Sequence, residues 1–342
     1  MKATGDDMPT SSAVWVTDEL VRIGPLTVRI VSDVPAFPAL RYFSRLVRTP
    51  LSPPGETTTK HSDFELWCVS RVDLQFDNET GCPVDQTSRA KGFRSGYYVT
   101  DHFGPPVVSI TRGRRVYLFG RELQGLIWPY YVKYLLQRHA VATGGLFLKA
   151  AAIEVDGAAT LILGRGGAGK TVMLTELCRR GAGFISNSNT VVAQGAVAGV
   201  ASSLRFRPGP WLDRLRVPTA PAIDPSEVVV DPLDAFPVWA MDPVPVRHIV
   251  VADYRGSTEH LVKKLSQTEA LNIMTQFGLG LNVYRLEEDL LDDLAGDYRA
   301  FAQAHKEMHE RLRELVGNCD AHAVSTDVLR GTNQGQLLAM LG

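Results

Sequence analysis

Apolar and polar positions alternate along the first third of the chain and then lengthen into buried runs. Residues 1–12 are small and polar without periodicity, which predicts a disordered tail. "AVWVTDELV" and "LTVRIVSD" predict two strands broken at Gly24-Pro25. Phe37, Leu40, Phe43 and Leu46 recur at helical spacing and predict a short helix. "RTPLSPPGETTTKHSD" reads as a loop, and "FELWCVSRVD" and "GYYVTDHF" as strands. "PPVVSITRGRRVYLFG" predicts a hairpin turning at Arg112-Gly113. In "ELQGLIWPYYVKYLLQRHAV", Ile127, Tyr131, Tyr134 and Leu135 share one helical side; Pro129 should kink or start the helix, and Gly144 and Gly145 should stop it.

The pattern changes at "LFLKAAAIEVDGAATLIL", which predicts a hairpin turning at Asp156-Gly157. "TVMLTEL" is helical, "GFISNSNTVVAQGAVAGVASSLRFRPGPW" gives short strands with glycine turns, and "PSEVVVDPLDAF" and "VPVRHIVVADYRG" give two more strands. "SQTEALNIMTQFG" predicts a helix capped by Ser266 with Glu269 three residues on. Leu286 to about Leu315 reads as a charged helix, acidic early and basic late, as a helix dipole favours. The last stretch predicts a short strand and a final helical turn. Four segments follow: a disordered tail 1–12, a strand-rich N-terminal α+β domain 13–140, an α/β domain 141–285, and a helical segment 286–342 packed on it.

Composition narrows the functional classes. The 342 residues are 45% hydrophobic and 21% charged, as in a globular protein with a real core. With 36 basic and 37 acidic side chains, electrostatic capture of nucleic acid or of an anionic membrane is not expected. Cys68, Cys82, Cys178 and Cys319 lack CxxC spacing and read as free thiols, Cys178 as core filler. There is no apolar leader and no apolar run of about 20 residues, so a soluble cytoplasmic protein is expected.

One motif carries chemistry. Gly164-Arg165-Gly166-Gly167-Ala168-Gly169-Lys170-Thr171 fits G-x-x-x-x-G-K-[ST] between an apolar strand and a helix. Glycines let backbone amides approach an anion, and the helix start adds free N–H groups and a positive dipole end. Lys170 should reach the terminal phosphates of ATP, and the Thr171 hydroxyl should bind Mg2+. Gly164, Gly166, Gly167, Ala168 and Gly169 would cradle the nucleotide.

From about Leu123 to Leu281 the order of segments resembles the HPr kinase/phosphorylase-like P-loop kinases. An aromatic helix precedes "LFLKAAAIEVDG", then come the phosphate loop, a short helix, the "GFIS" strand, "VPVRHIVVADYRG" and "SQTEALNIM". The resemblance implies a PEP-carboxykinase-like α/β fold with a mixed sheet around the loop. It implies ATP-dependent phosphoryl transfer, to a serine of a carrier protein in the founding family and to other peptides or small molecules in its relatives. Two departures stand out. The family's histidine falls at Lys149, and its pair of aspartates, one a general base and one a metal partner, falls at Asn187 and Ser188. An amide or hydroxyl cannot take a proton near neutral pH, but either can orient a nucleophile or a metal-bound water.

Asp253, ending the apolar run "HIVVAD", is a candidate substitute acid. Asp213 and Asp224 lie in loops, and Glu176 reads as a solvated helix position. Arg205 and Arg207 share a strand face and could clamp an anion or simply face water. His305 and His309 are four apart but lack a third ligand and read as solvated, as does the "RGRR" tip. Trp128, Tyr130, Tyr131 and Tyr134 read as core between domains. Two functions stay open: an ATP- and Mg2+-dependent kinase acting on a small molecule or peptide in a specialised biosynthetic pathway, with Asn187, Ser188 or Asp253 organising acceptor or metal; and a degenerate pseudokinase serving as a nucleotide-, peptide- or partner-binding scaffold. Homo-oligomerisation is left open by the sequence.

Overall fold

The computed structural model describes residues 14–51, 61–70, 107–207, 212, 216–221, 226–253, 260–327 and 329–342. The expected strand "GYYVTDHF", Cys82, Asp213 and Asp224 lie outside the described residues. The chain is mixed α/β and divides into two compact units. One holds chiefly Leu26–Leu40 and Arg48–Val132; the other holds Lys133–Gly342 with Ile23–Pro25 and Arg41–Val47.

The first unit is built on a mixed sheet of β1 (Thr17–Ile23), β2 (Leu26–Ser32), β3 (Arg48–Pro50), β4 (Phe64–Ser70), β5 (Val107–Arg112) and β6 (Arg115–Gly120), in the order β3-β1-β2-β4-β6-β5. β4 runs parallel to β2 and β6, and the β5–β6 hairpin is antiparallel. That hairpin turns at Gly113-Arg114, one residue later than expected, because Arg112 still pairs with Arg115. Val69, Val108, Ile110, Tyr117 and Phe119 form a core cluster on this sheet.

The helix expected around Phe37–Leu46 is instead two short 3-10 segments, Pro38–Tyr42 and Arg45–Val47. The chain breaks between them at Ser44, whose hydroxyl donates to Asp231 at 2.6 Å, while the Arg45 N–H donates to the same carboxylate at 2.9 Å. Pro129 does perturb its helix. Ile127–Val132 is a wide, π-type turn that absorbs the missing N–H, and the regular helix α1 (Lys133–Thr143) follows it. In the first unit Tyr131 bonds to Ser109, Oη to Oγ 2.6 Å; in the second Tyr134 donates to Asp293 at 2.7 Å.

The second unit is organised by a nine-stranded mixed sheet. Its members are β7 (Leu146–Leu148), β8 (Ala151–Val155), β9 (Ala158–Leu163), β10 (Gly183–Ser186), β11 (Thr190–Ala193), β12 (Ala196–Gly199), β16 (Val244–Ala252), β17 (Leu261–Lys264) and β18 (Asp320–Ser325). A separate three-stranded sheet holds β13 (Leu204–Phe206), β14 (Ala220–Pro221) and β15 (Val228–Val230). β9 is apolar and buried along nearly its whole length because β8 and a parallel β16 flank it. The β8–β9 hairpin turns at Asp156 (φ 49°) and Gly157 (φ 80°), where two positive φ values suit the right-handed strand twist.

Helix α2 (Lys170–Cys178) follows β9, and α3 (Gln267–Ile273) carries the expected capping box from Ser266 and Glu269. A π-type turn, Met274–Gly278, leads into the short α4 (Gly280–Tyr284). The long charged helix is interrupted. α5 (Glu287–Asp293) stops at Ala295 and Gly296, both at positive φ, and α6 (Tyr298–Gly317) restarts with Asp297 as N-cap. The chain end is more ordered than one turn: α7 spans Gly331–Leu341. β18 inserts between β16 and β17 in the large sheet, so the last segment supplies sheet as well as helix. β17, with all four residues exposed, carried no apolar pattern to betray it. No helix among the described residues is long and apolar enough to cross a membrane.

Candidate functional site

Strand ends converge at one edge of the large sheet. β9 ends at Leu163 and opens into residues 164–169, and α2 begins at Lys170. Gly164 has φ 143°, and a Cβ there would lie 2.5 Å from the Ala252 carbonyl oxygen, so only glycine fits against β16. Gly169 caps α2 from the left-handed region (φ 81°), and among the described residues no side chain accepts from the first helical amides. Those amides keep the capacity to bind an anion. Lys170 Nζ donates to the Gly164 and Arg165 carbonyls, both at 2.8 Å, so the ammonium rests on the loop itself. Burial, and secondarily Lys149, lowers its pKa to about 8. Thr171 starts α2 beside it, half-buried.

The three catalytic candidates of the sequence, Asp253, Asn187 and Ser188, leave the sheet on opposite sides of β9. On one side β16 runs parallel to β9, with Val251 opposite Leu163, so Asp253 lies just past the strand end at the level of the loop. Its N–H donates to the Val324 carbonyl at 2.9 Å. On the other side Ser186 of β10 pairs with Ala152 of β8, which pairs with Leu161 of β9. Asn187 and Ser188 therefore leave the sheet near the loop end. Ser186 Oγ donates to the Asn189 carbonyl at 2.6 Å and closes the turn. Asn187 is 5% exposed, and its Oδ1 has no hydrogen-bond partner among the described residues. Such a buried acceptor costs about 1–3 kcal/mol until something donates to it. Ser188 Oγ accepts from Asn189 Nδ2 at 3.1 Å.

The same edge gathers residues with no sequence motif. "LFLKAAAIEV" breaks at Lys149-Ala150, where β7 ends and β8 begins. Ala151 pairs with Ile162, so β8 starts beside the end of β9 that opens into the loop, and Lys149, two residues before that start, acts electrostatically on Lys170. The Lys149 N–H donates to the Gly278 carbonyl at 2.7 Å. Gly278 is itself tight against Leu163, where a Cβ would stand 2.6 Å from Cδ2. Tyr284 stacks on Phe147 with centroids 5.7 Å apart and donates from Oη to Asn189 Oδ1 at 2.9 Å. Lys133 Nζ stands 4.3 Å and Lys149 Nζ 5.6 Å from the centroid of the Tyr284 ring. Burial lowers Lys133 to about 7, with Arg205 and Lys149 adding repulsion; burial, then Arg205, also lowers Lys149. A lysine inside "IWPYYVKYLL" and another inside "LFLKAAA" were the available signals: charges placed within otherwise apolar runs.

Arg205 and Arg207 are exposed; Arg205 lies on β13 with Glu227 at 3.8 Å and the Tyr42 ring at 5.8 Å. Glu176 is not a solvated helix position. It is 6% exposed and accepts from Gln334 Nε2 at 2.8 Å, which ties α2 to α7. Cys178 is buried in α2 and its thiol pKa is pushed up by burial, as suits core filler. The His305 and His309 rings lie 4.5 Å apart, and no group of three or more potential metal ligands of the His, Cys, Asp and Glu types occurs among the described residues.

No protein-family model matches the chain, and no curated protein matches it. Among solved structures, one similar chain is the Hpr(Ser) kinase/phosphatase from Coxiella burnetii. It is 12% identical, with 47% of this chain and 96% of that chain covered, at a TM-score of 0.22. That overlap is too slight to decide either fold or function.

Proposed function

We propose that the protein is an ATP-dependent phosphotransferase acting on a small-molecule or peptide acceptor. The observation that carries this reading is the full glycine–lysine–threonine loop standing between a buried strand and a helix whose first amides lack a side-chain cap. In this reading the amides of residues 164–169 hold the phosphates, and Lys170 leaves the loop carbonyls for the terminal phosphate oxygens. Thr171 and Asp253 would hold Mg2+, a donor set that fits an ion bound largely by water and substrate phosphates. The ion would supply charge neutralisation at the phosphates. Asn187 and Ser188 orient the acceptor, with the unpartnered Asn187 Oδ1 available to a donor.

Phosphoryl transfer depends mainly on positioning and charge neutralisation. General-base catalysis contributes on the order of 100- to 10,000-fold, so losing the acid pair slows such a site without emptying it. A second reading, a nucleotide- or partner-binding scaffold, is favoured by one observation: the turn after β10 carries Asn187, Ser188 and Asn189 and no carboxylate. The experiment is a product assay with Mg-ATP and candidate acceptors beside Lys170→Ala. Phosphorylated product that disappears in the variant supports the kinase; product unchanged by the substitution removes Lys170 from the chemistry. Retention of the cellular role by Lys170→Ala would favour the scaffold.

A further inference from the structure

We propose that the acceptor carries an oxyanion, a phosphate or a carboxylate, which Lys133, Lys149 and Arg205 hold beside the loop and which is itself the nucleophile. The inference rests on the nucleotide reading above and names the substrate class of that site.

The geometry is a convergence of three cations with one carboxylate, Glu227, beside Arg205. Lys133 and Lys149 are half-buried against one face-rich ring, that of Tyr284, and among the described residues neither has a carboxylate partner. Arg205 has Glu227 at 3.8 Å. A cation over a ring recovers only about 0.5–2 kcal/mol, and like charges at a half-buried site repel. Burial first, and then repulsion from Arg205, lowers the pKa of both lysines, with Lys149 adding to the effect on Lys133. An anion relieves the repulsion by accepting charge-assisted hydrogen bonds. An ammonium group would meet the same cations as repulsion.

The chemistry of the neighbouring turn points the same way. A hydroxyl acceptor gains from a base, which Asn187, Ser188 and Asn189 do not supply. An oxyanion needs no proton removed. Its oxygen lone pair forms the new O–P bond at the γ-phosphorus of the nucleoside triphosphate. The bond from that phosphorus to the β,γ-bridging oxygen breaks, and the electron pair leaves on the nucleoside diphosphate. The product is a phosphoanhydride: a pyrophosphate from a phosphate acceptor, an acyl phosphate from a carboxylate. Two anions must approach each other in this step, and positive charge fixed beside the loop lowers that cost. Lys149 acts electrostatically on the Lys170 ammonium, which puts the cation cluster next to the loop.

The test uses the full chain, with calorimetric titration of inorganic phosphate, and separately of succinate, at neutral pH and low salt. Wild type, Lys170→Ala, Lys133→Gln and Lys149→Gln are compared, each also titrated with Mg-ATP. The expected result is two phosphate sites in the wild type. One is lost in Lys170→Ala; the other survives there but weakens about 10- to 100-fold in Lys133→Gln and Lys149→Gln, as loss of a charged hydrogen bond implies. Mg-ATP binding retained by the two glutamine variants shows that they are folded. Tighter binding of phosphate or of succinate at the second site then says which oxyanion the acceptor bears. Mg-ATP binding with an unchanged second site in both glutamine variants would overturn the acceptor proposal alone. No Mg-ATP binding by the wild type would overturn the nucleotide reading and this proposal with it.

Discussion

Tyr284 Oη donates a 2.9 Å hydrogen bond to Asn189 Oδ1, joining α4 to the turn after β10 across 95 positions of sequence. Asn189 is 1% exposed, so its carbonyl oxygen has no recourse to water. Tyr284→Phe keeps the ring beneath Lys133 and Lys149 but strands that oxygen. We expect a loss of about 1–3 kcal/mol in urea unfolding, with Mg-ATP affinity unchanged and acceptor turnover reduced. An unchanged unfolding midpoint would mean the bond contributes nothing.

Gly164 meets the Ala252 carbonyl from a backbone conformation closed to other residues. Gly164→Ala must move either the loop or the end of β16. We expect at least about 1–3 kcal/mol of destabilisation and an ATP affinity that falls more than tenfold. Denaturation and nucleotide titration on the same preparation check both. Gly166, beside which a Cβ would meet nothing within 4 Å, is the control: Gly166→Ala should cost far less stability.

Lys133 makes stability depend on pH with a definite sign. Its folded pKa is lowered to about 7 from an ordinary value of 10.5, first by burial and then by Arg205 and Lys149. Between those values the unfolded chain holds the extra proton, so stability rises with pH across that window, and the charged lysine costs most below about 7. Lys133→Met should reduce the slope and raise stability at neutral pH. Urea midpoints at several values from neutral to mildly alkaline pH, in both proteins, read this directly. Parallel curves would remove Lys133 from the buried cluster.

Asp231 anchors Arg41–Val47 within the second unit. Burial alone would raise its pKa, but hydrogen bonds from the Arg45 N–H, Ser44 Oγ, the Leu233 N–H and the Arg45 guanidinium outweigh that and lower it. A carboxylate lowered in this way stabilises the fold above its unfolded pKa and loses that contribution as pH falls through the folded value. Asp231→Asn should therefore destabilise at neutral pH by about 1–3 kcal/mol and converge with the wild type in acid. A difference that persists at low pH would assign the effect to packing instead.

How far the sequence foretold these features follows from the range of the interactions. The β8–β9 hairpin, the loop and the α3 capping box were legible because their determinants lie within a few residues: Asp156-Gly157, Gly164 to Thr171, Ser266 with Glu269. The short helix expected near Phe43 failed because Asp231, far along the chain, captures Ser44 and Arg45. The long charged helix broke because Ala295 and Gly296 take positive φ, while its charge pattern runs on unbroken. The cation cluster was illegible as a site. Its members come from α1, the β7–β8 break, β13 and α4, and only the fold brings them together around the Tyr284 ring. Glu176 looked solvated because its partner, Gln334, lies 158 residues away.

The most direct test is calorimetric titration of the purified protein with ATP, with and without Mg2+, beside Lys170→Ala. The account predicts Mg2+-dependent, micromolar-range binding that the variant loses. Absence of binding at millimolar ATP, or binding that Lys170→Ala leaves intact, would contradict it.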